Sequence, residues 1–135
     1  MTINPFVRTA AMCVSLALFA GCGGDSSPVE KRAIDRWNFL IAHQGDKAYD
    51  YLSPGTRETQ TRETYAASMN NRPIKWTSAT FNHKECDADR CKVLIDVTYS
   101  IAMPGAGPIG KPITTTSTQA ETWVHVNGTW YFLPK

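Results

Sequence analysis

The sequence carries almost no excess of charge of either sign. Lys and Arg number 14 against 12 Asp and Glu in 135 residues, a formal charge of +2. Without a surplus of cations there is nothing to neutralise a run of phosphates, which excludes an electrostatic mode of nucleic-acid binding. Long apolar runs are missing too. The one apolar stretch, residues 10–20, is too short for a bilayer, which needs about 20 residues. Histidine is scarce, with three residues scattered at His43, His83 and His125. No Ser-His-Asp order and no paired carboxylates stand out, so triad hydrolysis and glycoside hydrolysis lack their residues. Charged residues make up only 19% of the chain, yet four Trp and five Phe exclude a disordered polymer. The length suits one domain.

What is present begins with an address. Arg8 is followed by the apolar stretch Ala10–Ala20 and then by Gly21-Cys22, the layout of a secretory signal. Phe19-Ala20-Gly21-Cys22 resembles the bacterial lipobox, with Phe19 where Leu is usual. That resemblance implies cleavage after residue 21 and acylation of Cys22, and Gly23 after the Cys resembles lipoproteins sorted onward to the outer membrane. The expected organisation is therefore a signal over 1–21, a lipidated and flexible tether over 22–27, and a single domain over 28–135. The protein would sit in the cell envelope facing the periplasm, held by acyl chains that each contribute about 0.8 kcal/mol per buried methylene. Cys13 leaves with the signal, and Cys86 and Cys91 remain, flanking four residues in an exported chain where disulfides persist. A hairpin disulfide is expected; the rival, half of a zinc site with His83, misses the usual ligand spacings. No metal and no cofactor is expected.

Ser27-Pro28-Val29-Glu30 reads as a helix start, with Ser27 as the cap. Val29, Ala33, Ile34, Trp37, Leu40 and Ile41 then fall on one side at helical spacing, predicting a helix over 28–44 closed by Gly45. Asp46 caps a second short helix through Leu52, and Ser53-Pro54-Gly55 breaks it. A third helix spans 61–69 and buries Tyr65 and Met69. From Ile74 the period changes to two. Strands are predicted over 75–86, 91–103, 113–126 and 129–133, with a Gly/Pro loop at 104–112. Asn127-Gly128 is a type I′ hairpin turn, which sets Val126 opposite Thr129, His125 opposite Trp130 and Trp123 opposite Phe132. Both faces of this hairpin carry apolar groups, so it is expected to be central or covered on both sides.

Helices followed by a curled antiparallel sheet make an α+β domain. Trp37-Asn38-Phe39-Leu40, Gly45-Asp46-Lys47-Ala48-Tyr49, Tyr51-Leu52-Ser53-Pro54 and the final Thr122-Trp123-Val124…Asn127-Gly128-Thr129-Trp130-Tyr131 carry a likeness over residues 28–133. In these residues the chain resembles small exported lipoproteins of the nuclear transport factor 2-like superfamily, which includes ketosteroid isomerase and SnoaL-type cyclases. The resemblance implies a cone-shaped α+β barrel and allows a homodimer through the sheet; it does not imply an activity.

The chemistry is less legible. Gly105–Lys111 matches a phosphate-loop spacing, but Pro112 stands where the magnesium-binding Ser or Thr belongs, and strand follows where helix is required. Asn127-Gly128-Thr129 matches a glycosylation acceptor, which the turn explains better. The resemblance to steroid isomerases makes Asp35, Tyr49, Tyr65, Asp96, Tyr99 and His125 candidates for acid, base or donor. Strand alternation turns Asp96 to the polar face, and His125 lacks an adjacent carboxylate. Arg57-Glu58 and Arg62-Glu63 read as a solvated face. The candidate pocket or binding face is Trp37, Tyr49, Tyr65, Tyr99, Trp123, His125 and Trp130. The expected function is a lipid-anchored envelope domain that binds a protein partner or small ligand without catalysis. The alternative is a cone-fold isomerase, dehydratase or cyclase acting on a small hydrophobic molecule.

Overall fold

A computed structural model describes residues 24–102 and 111–135. The signal, Cys22, Met103 and most of the 104–112 loop lie outside the described residues.

Helix α1 (Val29–Ile41) buries a stripe of Val29, Arg32, Ala33, Arg36, Trp37 and Leu40, at helical spacing. Two arginines thus occupy the face expected to be purely apolar. The helix begins one residue later than the sequence suggests, with Pro28 at the boundary and no side-chain cap. The Ser27 amide instead donates to Asp25 Oδ1. The end differs as well. His43 adopts φ 55°, its amide bonds to the Leu40 carbonyl, and the Gln44 amide bonds to the Phe39 carbonyl. This pair of bonds is a Schellman closure, with His43 in the position glycine usually fills.

Gly45 is freed for another task. It opens α2 (Gly45–Ala48), donates its amide to Asn70 Oδ1 at 3.1 Å, and packs where a Cβ would lie 2.9 Å from Ala66 Cα. Asp46 caps nothing there. A 3-10 turn (Tyr49–Tyr51) follows. Ser53-Pro54-Gly55 starts a helix rather than ending one: in α3 (Pro54–Thr59), Ser53 Oγ accepts from the Thr56 amide and Pro54 takes the first turn. Thr61 caps α4 (Arg62–Asn70) in the same way, and Tyr65 is buried.

The four strands run β1 (Lys75–Cys86), β2 (Arg90–Ile101), β3 (Ile113–Val126) and β4 (Thr129–Leu133). They form one antiparallel sheet in chain order. Register shifts at Trp76/Ser78 and Phe81/His83 bend β1, as expected of bulges, and the sheet curves around the helices. Val93, Ile95 and Val97 point inward with Trp123, α1 supplies Ala33 and Leu40 to the same core, and the extended segment after the 3-10 turn supplies Leu52. Asn127 and Gly128 take φ 49° and 82°, as the type I′ turn requires. The register is the expected one, with Trp123 opposite Phe132 and His125 opposite Trp130. Its hairpin is not central, however: β4 is an edge. That edge is closed by Leu52–Ser53, whose Ser53 amide takes the Phe132 carbonyl, and by Arg32 Nε on the Trp130 carbonyl.

Cys86 and Cys91 are paired across the β1–β2 hairpin and joined by a disulfide, with Cys91 fully buried. Gly24–Ser27, expected to be flexible, is seated on the domain: Asp25 pairs with the buried Arg32, and Gly24 lies against Thr129 and the Asn127 carbonyl.

Candidate functional site

Between α1, α4 and the start of β1 on one side, and β3 and β4 on the other, lies a half-open cavity of about 360 Å³. Apolar and aromatic groups make most of its wall, including Trp37, Leu40, Tyr65, Met69, Trp76 and Phe132. A smaller space of about 220 Å³ adjoins it, lined by Ile74, Val97 and Tyr99, and the two share Trp37, Arg72, Trp76 and Gln119. Trp37 meets Trp76 edge-on at 5.5 Å. The larger volume lies within the range of small-molecule sites, roughly 300–1,000 Å³.

The inner wall holds a buried ion pair. Glu121, on the same face of β3 as Trp123, is 6% exposed, and Arg36 is 4% exposed. Arg36 Nη1 donates to Glu121 Oε1 at 2.9 Å, Trp37 Nε1 donates to the same oxygen at 2.9 Å, and Trp123 Nε1 donates to Oε2 at 2.9 Å. The second Arg36 amino group donates to the Tyr65 hydroxyl at 3.1 Å. Its guanidinium lies 3.8 Å from the centre of the Phe132 ring, and its Nε has no partner. Three donors on one carboxylate, two on Oε1 and one on Oε2, hold it in a fixed orientation. Burying such a pair is tolerable because each charge faces its opposite and most of its polar atoms are bonded, with Arg36 Nε the exception.

Three of the seven expected pocket residues come together here: Trp37 and Tyr65 line the cavity, and Tyr99 lines the adjoining space. The other four lie elsewhere. Trp123 is wholly buried in the core, where its indole N–H holds Glu121. Tyr49 packs on Tyr65, and its hydroxyl donates toward the carbonyls of Arg57 and Gln60, so it ties α3 to α4. His125 and Trp130 stack at 4.7 Å away from the cavity lining. The amide of His125 is bonded to the Asp89 carbonyl. The carboxylate candidates are also outside: Asp35 pairs with Lys31 on the surface, and Asp96 accepts from Asn82 and Thr118 on the outer sheet face.

Sequence reasoning passed over Arg36 and Glu121. The signal was present in both cases. Arg32 and Arg36 sit at positions i+3 and i+7 from Val29, within the buried stripe. Glu121 lies two residues before Trp123, so the hairpin register that turns Trp123 inward turns Glu121 inward also. A second, more open space of about 370 Å³ lies outside the cone, between the tether and β4, walled by Asp25, Arg32, Lys47, Tyr51 and Tyr131. There Arg32 lies 4.6 Å from the Tyr51 ring and 5.5 Å from the Tyr131 ring.

Two solved structures share this architecture. The solution structure of a SEC-C motif containing protein from Rhodopseudomonas palustris matches with a TM-score of 0.58 at 16% identity, over 81% of this chain and 77% of that one. The crystal structure of an NTF2-like transpeptidase from Campylobacter jejuni matches with a TM-score of 0.51 at 12% identity, over 81% of this chain and all of that one. At such identities the likeness is one of fold, and it agrees with the cone-shaped α+β architecture. No protein-family profile and no curated protein matches the sequence.

Proposed function

We propose that this protein is a lipid-anchored envelope domain that holds a small ligand in the cavity of its cone and does not transform it. The observation that carries the reading is the engagement of Glu121. A carboxylate acting as general base must be open to a proton from the substrate, within hydrogen-bond reach. Both oxygens of Glu121 already accept hydrogen bonds, from Arg36, Trp37 and Trp123, and this supports a role in fixing the wall of the cavity. Around it the lining is apolar and aromatic, the usual makeup of a binding pocket. The anchor rests on Phe19-Ala20-Gly21-Cys22 and on the signal layout before it.

Two measurements test the two halves of this reading. Cys22→Ser should move the protein from the membrane to the soluble fraction; unchanged membrane retention would defeat the anchor. Solvent extraction of natively purified protein should release a small molecule in stoichiometric amount, absent when Met69→Trp fills the cavity. Conversion of the released molecule to a new product by fresh protein would replace the binding reading with an enzymatic one.

A further inference from the structure

The ligand's chemical class follows from the charge left over in the cavity. The guanidinium of Arg36 is neutralised by Glu121, so the inner wall carries no net charge. Arg72 stands apart. It follows α4, is exposed, lines both the main cavity and the adjoining space, and makes no ion pair among the described residues. Its guanidinium lies 5.9 Å from the Trp76 ring, which orients it beside the shared wall. Among the described residues of the lining, the carboxylate side chain is that of Glu121, which is already paired with Arg36. A site with an apolar interior and an unpaired cation at its open side suits a molecule of the opposite construction.

We propose that the cavity takes an anionic amphiphile, a single acyl chain or small ring system ending in one carboxylate. The apolar part lies along Leu40, Met69 and Phe132, and the carboxylate meets the Arg72 fork. Arginine suits this task because its planar N–H pair matches both oxygens of a carboxylate. A neutral ester of the same chain would bury the same apolar area but lose the charged bond. A cationic analogue would meet Arg72 as a like charge. The inference rests on the binding reading above and extends it to a ligand class.

Decanoate, methyl decanoate and decyltrimethylammonium serve as probes, with binding to the full chain followed by quenching of Trp37 and Trp76 fluorescence. Decanoate should bind about three- to fivefold more tightly than its methyl ester, the preference that an exposed charge-assisted pair supports. The cation should bind more weakly than either. Arg72→Gln should bring decanoate and the ester within about twofold of each other, while Arg72→Lys retains part of the preference. An unchanged melting temperature in both variants shows that the side chain acts on the ligand and not on the fold. Equal binding of acid and ester by the wild-type protein overturns the charge assignment and leaves the cavity reading standing. Tighter binding of the cation overturns it as well. Failure of all three probes overturns the ligand class, and if solvent extraction also yields no bound molecule, the binding reading falls with it.

Discussion

Arg36 and Glu121 are separated by 85 positions in the chain and meet at 2.9 Å as a buried ion pair that joins α1 to β3. Removing one partner leaves the other charged and unpaired at a buried position, which costs about 3–5 kcal/mol in comparable buried pairs. Glu121→Ala should therefore remove a large share of a domain stability that is itself about 5–15 kcal/mol. The double variant Arg36→Met/Glu121→Leu should recover only part of the loss. Trp37 and Trp123 would still bury indole N–H groups without an acceptor, at about 1–3 kcal/mol each. Urea unfolding of the wild type, the single and the double variant measures both quantities. Full recovery in the double variant would show that the two indole bonds contribute nothing.

The same pair marks the limit of what the sequence discloses. The Asn127-Gly128 turn fixes local φ and strand register through backbone chemistry alone, so the facing of Trp123, His125 and Trp130 is readable and agrees with the structure. The alternation of Val93, Ile95 and Val97 is equally direct. Arg36 and Glu121 are different, because polarity argues that each is exposed and only their long-range encounter reverses that argument. Ser53 and Gly45 were ambiguous for a local reason. Ser-Pro-Gly terminates one helix and caps another with the same atoms, and Gly45 is needed for close packing against Ala66, where a helix end needs glycine for its φ. The pocket was half legible: the aromatic residues were identifiable, but which of them face the space and which fill the core depends on how far the sheet curls.

The disulfide closes a very short loop, so its stabilising effect is modest. In the chain-entropy description, a bridge between Cys86 and Cys91 contributes about 2 kcal/mol. Reduction should lower the melting temperature by on the order of 10 °C while the far-ultraviolet circular dichroism keeps its folded form. Calorimetry with and without reductant, alongside Cys86→Ser/Cys91→Ala, checks this. Identical melting in all samples would remove the bridge from the list of stabilising contacts.

The seated tether has its own signature in acid. The hydroxyl and amide of Ser27 act first, and the Arg32 guanidinium after them, to hold the Asp25 carboxyl down at about 2. A carboxylate depressed in the folded state contributes stability above its unfolded value, about 3.9, and loses it as pH falls toward the folded one. The contact is largely exposed, so the effect on global stability is small and the local readout is the sensitive one. The protection factor of the Ser27 amide, its exchange rate relative to the intrinsic rate at each pH, should be high at neutral pH and fall below about pH 3. Ser27→Ala should move the Asp25 titration, followed by carboxyl-carbon NMR, back toward the ordinary carboxylate range. An ordinary titration in the wild-type protein would mean that the segment is not held by this carboxylate.

Two glycines should respond to alanine with opposite signs. At Gly45 an added Cβ would sit 2.9 Å from Ala66 Cα and 3.1 Å from the Ala66 carbonyl oxygen, so the backbone of α4 would have to move. Gly45→Ala should destabilise the domain by about 1–3 kcal/mol, the usual penalty for overpacking. At Gly55, inside α3, an added Cβ meets nothing within 4 Å. There alanine removes unfolded-state entropy and favours the helix, and should stabilise by about 0.4–1 kcal/mol. Denaturant midpoints for both variants, measured with unchanged slopes, provide the comparison. Destabilisation at Gly55 would mean that α3 is not helical through its first turn, and with it the capping role of Ser53 would be lost.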